Sequence, residues 1–529
     1  MRARRCGFEL DGRPVEVEAE GSLLDALREQ LGVRSPKDGC SPQGQCGCCT
    51  VWVDGRPRVA CVTPVTRVDG RSITTVDGLE GAARWAEAFT ACGASQCGFC
   101  TPGIIMRLAA LSPDELATRS AVDSALMAHL CRCTGWTSIA EAAAMVGRSE
   151  SVAAATPATA GREMSARARA RAEVEGGVPQ ALGPQVALGR GGFADDAAPA
   201  DALVAVCVGS GPDTGRWVVA DSLVEARRAS GKVQGRRSTA PISWPIETPP
   251  GPWARTLRTT WVEPAYLEPD AAWAEPGGRV HGPLGNGGAF GGKVDSEVAE
   301  IARALADEHG RPVRVLWTRE DVVRRGPKRP PLAIGLAPDG TGVVRVARTP
   351  GVAEVIHRVA PQLEVVELDV AGPPTSIALR GAGWAEVAVV LASLGASDTV
   401  TAPSGAVATA HLDEDDTVHL RVVCGADPSD PDELTVLRSY CLGAAHMAIG
   451  WVRREGIAVD ESGVPLDLTI RSFGVLRATE IPRVHVEIDT SGPVPSPDAL
   501  VSGSDAVFAA VAAAAWRRAG FPPQWPIDR

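Results

Sequence analysis

The sequence of 529 residues has little of several features that would place it in a common class. It has no basic excess, because 53 Lys and Arg face 64 Asp and Glu, and its net charge of −11 argues against a dedicated nucleic-acid binder. No apolar stretch is predicted to approach the roughly 18–20 residues that span a bilayer. The basic N-terminus lacks the apolar segment of a Sec-type signal, so we expect a cytoplasmic protein that does not bind membranes.

Glycine-rich nucleotide motifs are scarce as well. No G-x-G-x-x-G segment stands between a predicted strand and a predicted helix, so no dinucleotide-binding fold is expected. The run Gly287–Lys293 has the spacing of a P-loop, but Val294 stands where a Mg²⁺-binding Ser or Thr belongs. We interpret this run as a backbone turn and favour its packing against protein over a role in nucleotide binding.

Cysteine, in contrast, is plentiful and unevenly distributed, since 11 of the 14 fall within the first 133 residues. Disulfides are typical of short secreted chains, and a structural zinc site draws on pairs of C-x₂₋₄-C knuckles. A C-x-C pair and closely spaced cysteines among glycines favour iron–sulfur clusters instead. A ferredoxin-type cluster needs three cysteines on one tight loop and a fourth from an adjoining segment. Four residues supply that arrangement: Cys40, Cys46, Cys49 and Cys61.

Two motifs carry a resemblance to a known family, the molybdenum hydroxylases of the xanthine dehydrogenase and aldehyde oxidase type. KDGCSPQGQCGCCTVWVDG…CVTP resembles the plant-ferredoxin-like [2Fe-2S] domain of that family, and QCGFCTPG…LCRCTGW resembles its helical second [2Fe-2S] domain. The resemblance implies two sets of metal ligands. They are Cys40, Cys46, Cys49 and Cys61 for the first cluster, and Cys97, Cys100, Cys131 and Cys133 for the second.

Two departures from the family pattern affect the first ligand set. The loop is one residue longer than the commonest family spacing, and a spare thiol, Cys48, abuts Cys49. Because C-G-x-C is the family form, Cys49 is the preferred ligand, and a slip onto Cys48 stays an alternative. We interpret Cys6, Cys48 and Cys92 as small buried or incidental thiols.

The segments around these cysteines predict two small domains. A hairpin around Asp11-Gly12, a helix, a loop and a second hairpin around Asp54-Gly55 follow one another, and this order predicts a β-grasp domain over residues 1–78. Over residues 79–147 the apolar pattern is helical and predicts a four-helix domain that depends on its metal.

The remainder of the chain divides into a linker and one large domain. Residues 148–190 are rich in Ala, Arg, Glu and Ser and predict a linker or a strap, with its alternating arginines solvated. Residues 191–529 resemble a shortened form of the family's molybdenum-binding subunit. The fold expected for the whole chain is therefore α+β multidomain. Four collinear segments carry the second resemblance: 263–272, 285–322, 380–386 and 442–488.

Residues that this resemblance would require for molybdenum chemistry are absent from the large domain. Family members use a glutamate in a Gly-Glu-Pro-Pro segment as general base, and Ser496 stands at that position here. The Gly-Gln-Gly segment by which the family binds its dithiolene cofactor is missing, as is the flavin domain that some relatives carry. We therefore expect no catalytic residue in this chain and place molybdopterin and FAD in partner chains.

These inferences favour an iron–sulfur electron-transfer subunit of a molybdenum hydroxylase complex. Its expected partners are a catalytic molybdenum-cofactor subunit and an FAD-binding subunit. The resemblance implies that single electrons pass from the second cluster to the first and then to flavin or another acceptor, while the degenerate molybdenum domain serves assembly.

Two alternatives stay open at the level of sequence. One is a redox-sensing or scaffold protein with no catalytic partner. The other is a self-contained compact hydroxylase that binds molybdopterin itself. The residues that would serve it are Arg380 and the loop Gly287–Gly292 for the cofactor, and Glu386, Glu263 or Asp498 as base.

Overall fold

A computed structural model describes residues 4–148, 163–208, 216–231, 238–285 and 287–529. Part of the predicted linker, residues 149–162, lies outside the described residues, as does Asn286 of the glycine-rich run. The described residues form four β-sheets and a set of helices, of which the two longest lie in the C-terminal part of the chain and pack against each other.

The N-terminal sheet has five strands, and a short helix lies between its second and third strands in chain order. Its strands run in the order β2-β1-β5-β3-β4, with β1 and β5 parallel: β1 Arg5–Leu10, β2 Arg13–Glu18, α1 Leu23–Asp25 (continued by a π-helical turn, Ala26–Gln30), β3 Thr50–Val53, β4 Arg56–Val59 and β5 Ser72–Thr74. Asp11 and Gly12 have φ of 48° and 79°, as a type I′ hairpin turn requires, so the predicted turn is confirmed. The second predicted turn has the same geometry at Asp54 and Gly55, with φ of 49° and 72°.

The helical domain has five helices where four were predicted. They are α2 Ala82–Ala91, α3 Thr101–Leu108, α4 Pro113–Leu116, α5 Arg119–Ala125 and α6 Thr137–Gly147. The prediction of four was wrong because the helical stretch that begins at the capping box of Ser112 and Glu115 is divided, and its first helix, α4, is only one turn long. A separate helix, α5, begins three residues after α4 ends.

The C-terminal region carries three mixed sheets, ordered β10-β9-β11-β6-β7, β14-β13-β12-β8 and β15-β16-β17-β18. Its elements follow in chain order. They are α7 Ala166–Gly176, α8 Pro184–Ala187, α9 Ala194–Ala197, β6 Leu203–Cys207, β7 Trp217–Ala220, α10 Leu223–Ala229, β8 Arg255–Arg258, β9 Ala271–Ala274, β10 Val280–His281, α11 Val298–His309, β11 Val313–Leu316, α12 Arg319–Arg325, β12 Leu332–Leu336, β13 Gly342–Ala347, α13 Val352–Val359, β14 Leu363–Leu368, α14 Trp384–Ala392, β15 Asp398–Thr401, β16 Val407–Leu412, β17 Val418–Val423, α15 Pro431–Arg453, β18 Val484–Ile488 and α16 Gly503–Arg518.

The helices α15 and α16 pack against each other at the centre of this region. The segment Pro497–Arg518, which includes α16, is long and apolar enough to cross a membrane by length and composition, so the prediction that no such stretch exists was wrong. Within the protein, 83% of its most apolar window is buried, as in a core helix of a globular domain. The Ala-rich composition of α16 explains both its apolar character and its burial. Small apolar side chains let neighbouring elements approach the helix closely.

The arginine-rich part of the predicted linker forms α7, where Arg169 is exposed as predicted but Arg167 and Arg171 are not solvated. Arg171 is fully buried, and its Nη2 donates to Glu433 Oε1 at 2.8 Å. Arg167 pairs with the other oxygen of the same carboxylate. The alternating arginines alone predicted solvent exposure. That prediction was wrong for Arg171 because Glu433, the carboxylate that compensates its charge, lies 262 residues later in the chain.

Candidate metal centres

Four cysteines of the predicted first cluster lie together in the interior of the protein. Cys40, Cys46 and Cys49 come from the loop before β3, and Cys61 comes from the 3₁₀ turn Ala60–Val62 after β4. The Cys40 sulfur is within hydrogen-bonding reach of Cys46 and Cys61, and Cys61 is within reach of Cys49. All four are buried, and we call them the first thiol group.

Backbone amides donate to the sulfurs of this group. The N–H groups of Gln43 and Gln45 donate to Cys40 Sγ at 3.1 and 3.5 Å, and the N–H of Cys61 donates to Cys49 Sγ at 3.4 Å. Hydrogen bonds from two neighbouring thiols lower the pKa of Cys40 well below its ordinary value. The thiolate is the form that binds metal, and N–H···S bonds are among the contacts that tune the potential of a cluster.

The cysteines of the predicted second cluster form two pairs, and we call them the second thiol group. The sulfurs of Cys97 and Cys133 are 3.7 Å apart. Two sulfurs on one tetrahedral metal, at metal–sulfur distances of about 2.3 Å, are separated by about 3.8 Å. In the other pair, a hydrogen bond from Cys100 lowers the pKa of Cys131 to about 7. The group lies where α3 begins and in the loop that precedes α6.

The spare thiol Cys48 lies between the two groups. Its side chain is completely buried and in hydrogen-bonding contact with Cys46 of the first group, and it also interacts electrostatically with Cys49 and with Cys131 of the second group. Cys61, however, makes its hydrogen-bonding contact with Cys49. This geometry favours the family form of the ligand set, and the choice of Cys49 over Cys48 stays a prediction.

The C-terminal region covers the second thiol group through residues that sequence reasoning missed. Arg132, which stands between two cysteines of the group, donates to both carboxylate oxygens of Glu455 at 2.5 and 2.8 Å. Its Nε donates to Pro264 O at 3.0 Å. On α15, a Cβ at Gly443 would lie 1.8 Å from Cys133 O, so only glycine allows this approach. The C-R-C spacing draws attention to Arg132, but no sequence signal points to a partner 323 residues away.

A small cavity lies beside Arg132, on the side where the family resemblance places a pterin. Its volume is about 40 Å³. The guanidinium of Arg380 stacks on the Phe290 ring at 4.0 Å from the ring centroid and occupies part of the space. Pockets for ligands of this kind measure about 300–1,000 Å³, so molybdopterin does not fit this arrangement of side chains. The residues that bound the cavity include Arg132, Glu263, Phe290, Arg380 and Trp451.

The candidate bases of the compact-hydroxylase alternative are paired or exposed. Glu263 lines the cavity, and its Oε2 pairs with Lys328 Nζ at 2.9 Å. Glu386 pairs with Arg329 at 2.9 Å. Asp498 is exposed on the 3₁₀ turn Pro497–Ala499 and does not line the cavity.

The glycine-rich run is a packing turn, as the sequence interpretation favoured. A Cβ at Gly291 would lie 1.8 Å from Ala378 O, so this backbone is in direct contact with protein. Lys293 Nζ donates to Glu268 Oε2 at 2.5 Å, and both side chains are buried. Lys293, the lysine of the P-loop-like spacing, is therefore paired with a buried carboxylate and is not available to a phosphate group.

Comparisons with known proteins match both cysteine-rich segments. Residues 3–78 match a family described as 2Fe-2S iron-sulfur cluster binding domain, and residues 75–144 match one described as [2Fe-2S] binding domain. The chain is 37% identical over 149 residues to the 6-hydroxypseudooxynicotine dehydrogenase complex subunit beta of Paenarthrobacter nicotinovorans, a match that covers 27% of this chain and 92% of that protein. The chain belongs to the xanthine dehydrogenase and aldehyde oxidase family.

Two further comparisons are consistent with membership of the xanthine dehydrogenase and aldehyde oxidase family. The chain is 36% identical over 153 residues to a probable xanthine dehydrogenase subunit of Bacillus subtilis, a match that covers 28% of this chain and 88% of that protein. The solved structure of the aldehyde oxidoreductase from Desulfovibrio gigas has a TM-score of 0.70 at 15% identity and covers 97% of both chains. At that identity the likeness shows the fold alone, so the predicted α+β multidomain fold is confirmed and the chain's role is not settled by it.

Proposed function

We propose that this chain is the iron–sulfur electron-transfer subunit of a molybdenum hydroxylase complex and binds one [2Fe-2S] cluster on each thiol group. The observation that carries the proposal is the proximity of the buried cysteines, with four thiols linked by contacts in the first group and two pairs of thiols in the second. The two matching [2Fe-2S] family descriptions support it. The proposed ligands are Cys40, Cys46, Cys49 and Cys61 for the first cluster, and Cys97, Cys100, Cys131 and Cys133 for the second.

In this proposal the C-terminal region serves assembly and does not hydroxylate a substrate. The small cavity beside Arg132 and the ion pairs of Glu263 and Glu386 support this assignment. Molybdopterin and FAD accordingly belong to partner chains. The two relatives above are named as subunits of dehydrogenases, which supports a catalytic partner for this chain as well.

The chain accepts single electrons from its catalytic partner at the second thiol group and passes them through the first thiol group to flavin or another acceptor. Two features support this direction. The second group is covered by the molybdenum-subunit-like region, as the family resemblance leads one to expect for the cluster nearer molybdenum. At the first group, Val62, which follows the buried Cys61, is 54% exposed, so the surface is one residue away from a proposed ligand.

Metal and cofactor analysis of the purified chain tests the proposal. We expect about four Fe and four sulfide per chain, two distinct [2Fe-2S] signals in the electron paramagnetic resonance (EPR) spectrum after reduction, and no stoichiometric Mo, pterin or flavin. Cys61→Ser and Cys97→Ser should each remove one of the two signals. Cys92→Ser, which alters a half-buried thiol outside both groups, is the matched control and should keep both.

The alternatives give different results in the same experiment. Stoichiometric Mo with pterin would refute the assembly role and establish the compact hydroxylase. A chain with both clusters that captures no molybdenum-containing subunit from its native extract would favour the redox-sensing or scaffold protein. Zinc in place of iron would refute all three.

A further inference from the structure

Two arginines of the C-terminal region bind the loop that carries the first thiol group. Arg319, the first residue of α12, is fully buried, and its Nη2 donates to Gly39 O at 2.6 Å. Its remaining hydrogen bonds go to the carbonyl oxygens of Tyr266 and Leu267, at 2.8 and 2.9 Å. The side chain thus reaches from the C-terminal region to the residue that directly precedes Cys40.

Arg471 binds the same loop at a second point. Its Nε donates to Gln45 O at 2.9 Å, and its backbone N–H donates to Gln45 Oε1 at 3.3 Å. Gln45 directly precedes Cys46, so both arginines bind the carbonyl of a residue that immediately precedes a proposed ligand. Burial, followed by the charge of Arg477, lowers the pKa of Arg471, while the thiolates of Cys46 and Cys40 act in the opposite direction.

Within the described residues neither guanidinium has a carboxylate at ion-pair distance, although the buried Asp270 interacts electrostatically with Arg319. Arg227, which also reaches this loop, differs because it pairs with Asp38 at 2.6 Å. The arginine at the second thiol group differs in the same way, since Arg132 is paired with Glu455. Positive charge without a directly paired carboxylate therefore borders the first group, and an ion pair borders the second.

Charge of this kind affects a redox centre directly. Reduction of a [2Fe-2S] cluster adds one negative charge, and a nearby buried cation stabilises the reduced form because the interior screens the attraction only weakly. Net charge and hydrogen bonds around the cluster are among the determinants of its potential.

We propose that Arg319 and Arg471 are positioning residues that raise the reduction potential of the first cluster above that of the second, so that electrons move from the second cluster to the first. The proposal rests on the proposed function, because it requires a cluster on each thiol group. It gives the C-terminal region a role in electron transfer that needs no molybdenum site: this region supplies the charges that set the direction of flow.

An EPR-monitored redox titration of the full-length holoprotein tests the proposal. The two signals are first assigned with Cys61→Ser and Cys97→Ser. Arg471→Gln should reduce the equilibrium constant for reduction of the first cluster about tenfold, which is a fall of about 59 mV in the potential of a one-electron couple. Arg471→Lys retains the charge and should stay within about twofold of the unaltered protein, which is about 18 mV on the same scale. The second cluster should keep its potential in both variants.

Two more variants complete the design. Arg319→Met removes the fully buried charge and should lower the potential of the first cluster at least as much as Arg471→Gln does. Arg348→Gln removes a guanidinium that is 58% exposed and paired with Asp369, and it should move neither potential. If Arg319→Met does not fold, the comparison of Arg471→Gln with Arg471→Lys still tests whether charge sets the potential of the first cluster.

The outcomes separate this proposal from the proposed function. An unaltered protein without two [2Fe-2S] signals refutes the proposed function itself. With both signals present, an unchanged first potential in Arg471→Gln overturns the charge proposal, and so does an equal shift of both clusters, which would indicate a general loosening. Loss of iron from both Arg471 variants would also overturn it, because Arg471 would then be needed for the shape of the loop.

Discussion

The ion pair between Arg132 and Glu455 ties the second thiol group to the C-terminal region, and Glu455→Gln removes its negative partner. The pair is bidentate, at 2.5 and 2.8 Å, and the two side chains are only 7% and 1% exposed. The glutamine leaves the guanidinium buried without its counter-charge. Breaking a buried pair in this way costs about 3–5 kcal/mol, since the remaining charge cannot be solvated by water.

The lower end of that range applies here. Arg132 keeps its hydrogen bond to Pro264 O in the variant, and the glutamine oxygen can still accept another, so we expect a loss of about 3 kcal/mol in the free energy of unfolding. For a slope of about 3 kcal/mol per molar urea, the midpoint falls by about 1 M. The visible absorbance of the clusters is the signal to follow in the urea titration, because it reports on the helical domain where the pair is anchored.

A matched control exists between the same two parts of the chain. Glu141 of the helical domain pairs with Arg438 of α15 at 2.6 and 2.8 Å, but these side chains are 40% and 35% exposed. Water compensates the charge left in Glu141→Gln, so its cost should stay below about 1 kcal/mol. Equal losses in Glu455→Gln and Glu141→Gln would refute the reasoning, because burial would then not decide the cost. The double variant Arg132→Met/Glu455→Met should recover most of the lost stability.

Three other predictions concern single residues. Cys48→Ala should keep both [2Fe-2S] signals while Cys49→Ser loses the first, and the reverse result would transfer the ligand role to Cys48. Gly443→Ala forces a methyl group into the backbone of the second thiol group and should cost about 1–3 kcal/mol in urea unfolding or abolish the second signal, whereas Gly492→Ala, whose Cβ contacts nothing, should do neither. Burial raises the pKa of Glu268 from 4.5 to about 7, so the folded chain keeps a proton there that the unfolded chain has released. That contribution to stability is complete below pH 4.5 and is lost as the pH rises through about 7. Glu268→Gln should therefore remove about 3 kcal/mol of pH dependence across this interval, seen in urea midpoints, and an unchanged slope would contradict the prediction.

Local chemistry explains what could be predicted from the sequence. The turn at Asp11-Gly12 is set by two residues that accept positive φ, and α4 is set by its own capping box at Ser112 and Glu115. Three of the four cysteines in the first thiol group lie within ten residues, so their spacing alone indicates a common metal. In each case the residues that decide the structure are neighbours in the chain.

Contacts between distant segments explain what could not be predicted. Arg171 was expected in solvent, but it is buried on Glu433. Nothing near Arg171 in the sequence signals that carboxylate, since an arginine-rich stretch has the same composition whether it is solvated or paired. The same holds for Arg132 and Glu455, which lie on opposite sides of the interface between the helical domain and the C-terminal region.

The way charge is distributed over that interface bears on the role of the C-terminal region. A region used only for assembly would be expected to pair each buried cation with an anion, as it does for Arg132 and for Arg227, because an isolated buried charge costs stability. Arg319, which is buried, and Arg471, which is half-buried, have no carboxylate at ion-pair distance within the described residues, and both bind the loop of the first thiol group. A reduced cluster on that loop would supply the missing negative charge. The cost of leaving both arginines unpaired is therefore offset in the state that holds an electron, and this links the stability of the interface to the redox state of the first cluster.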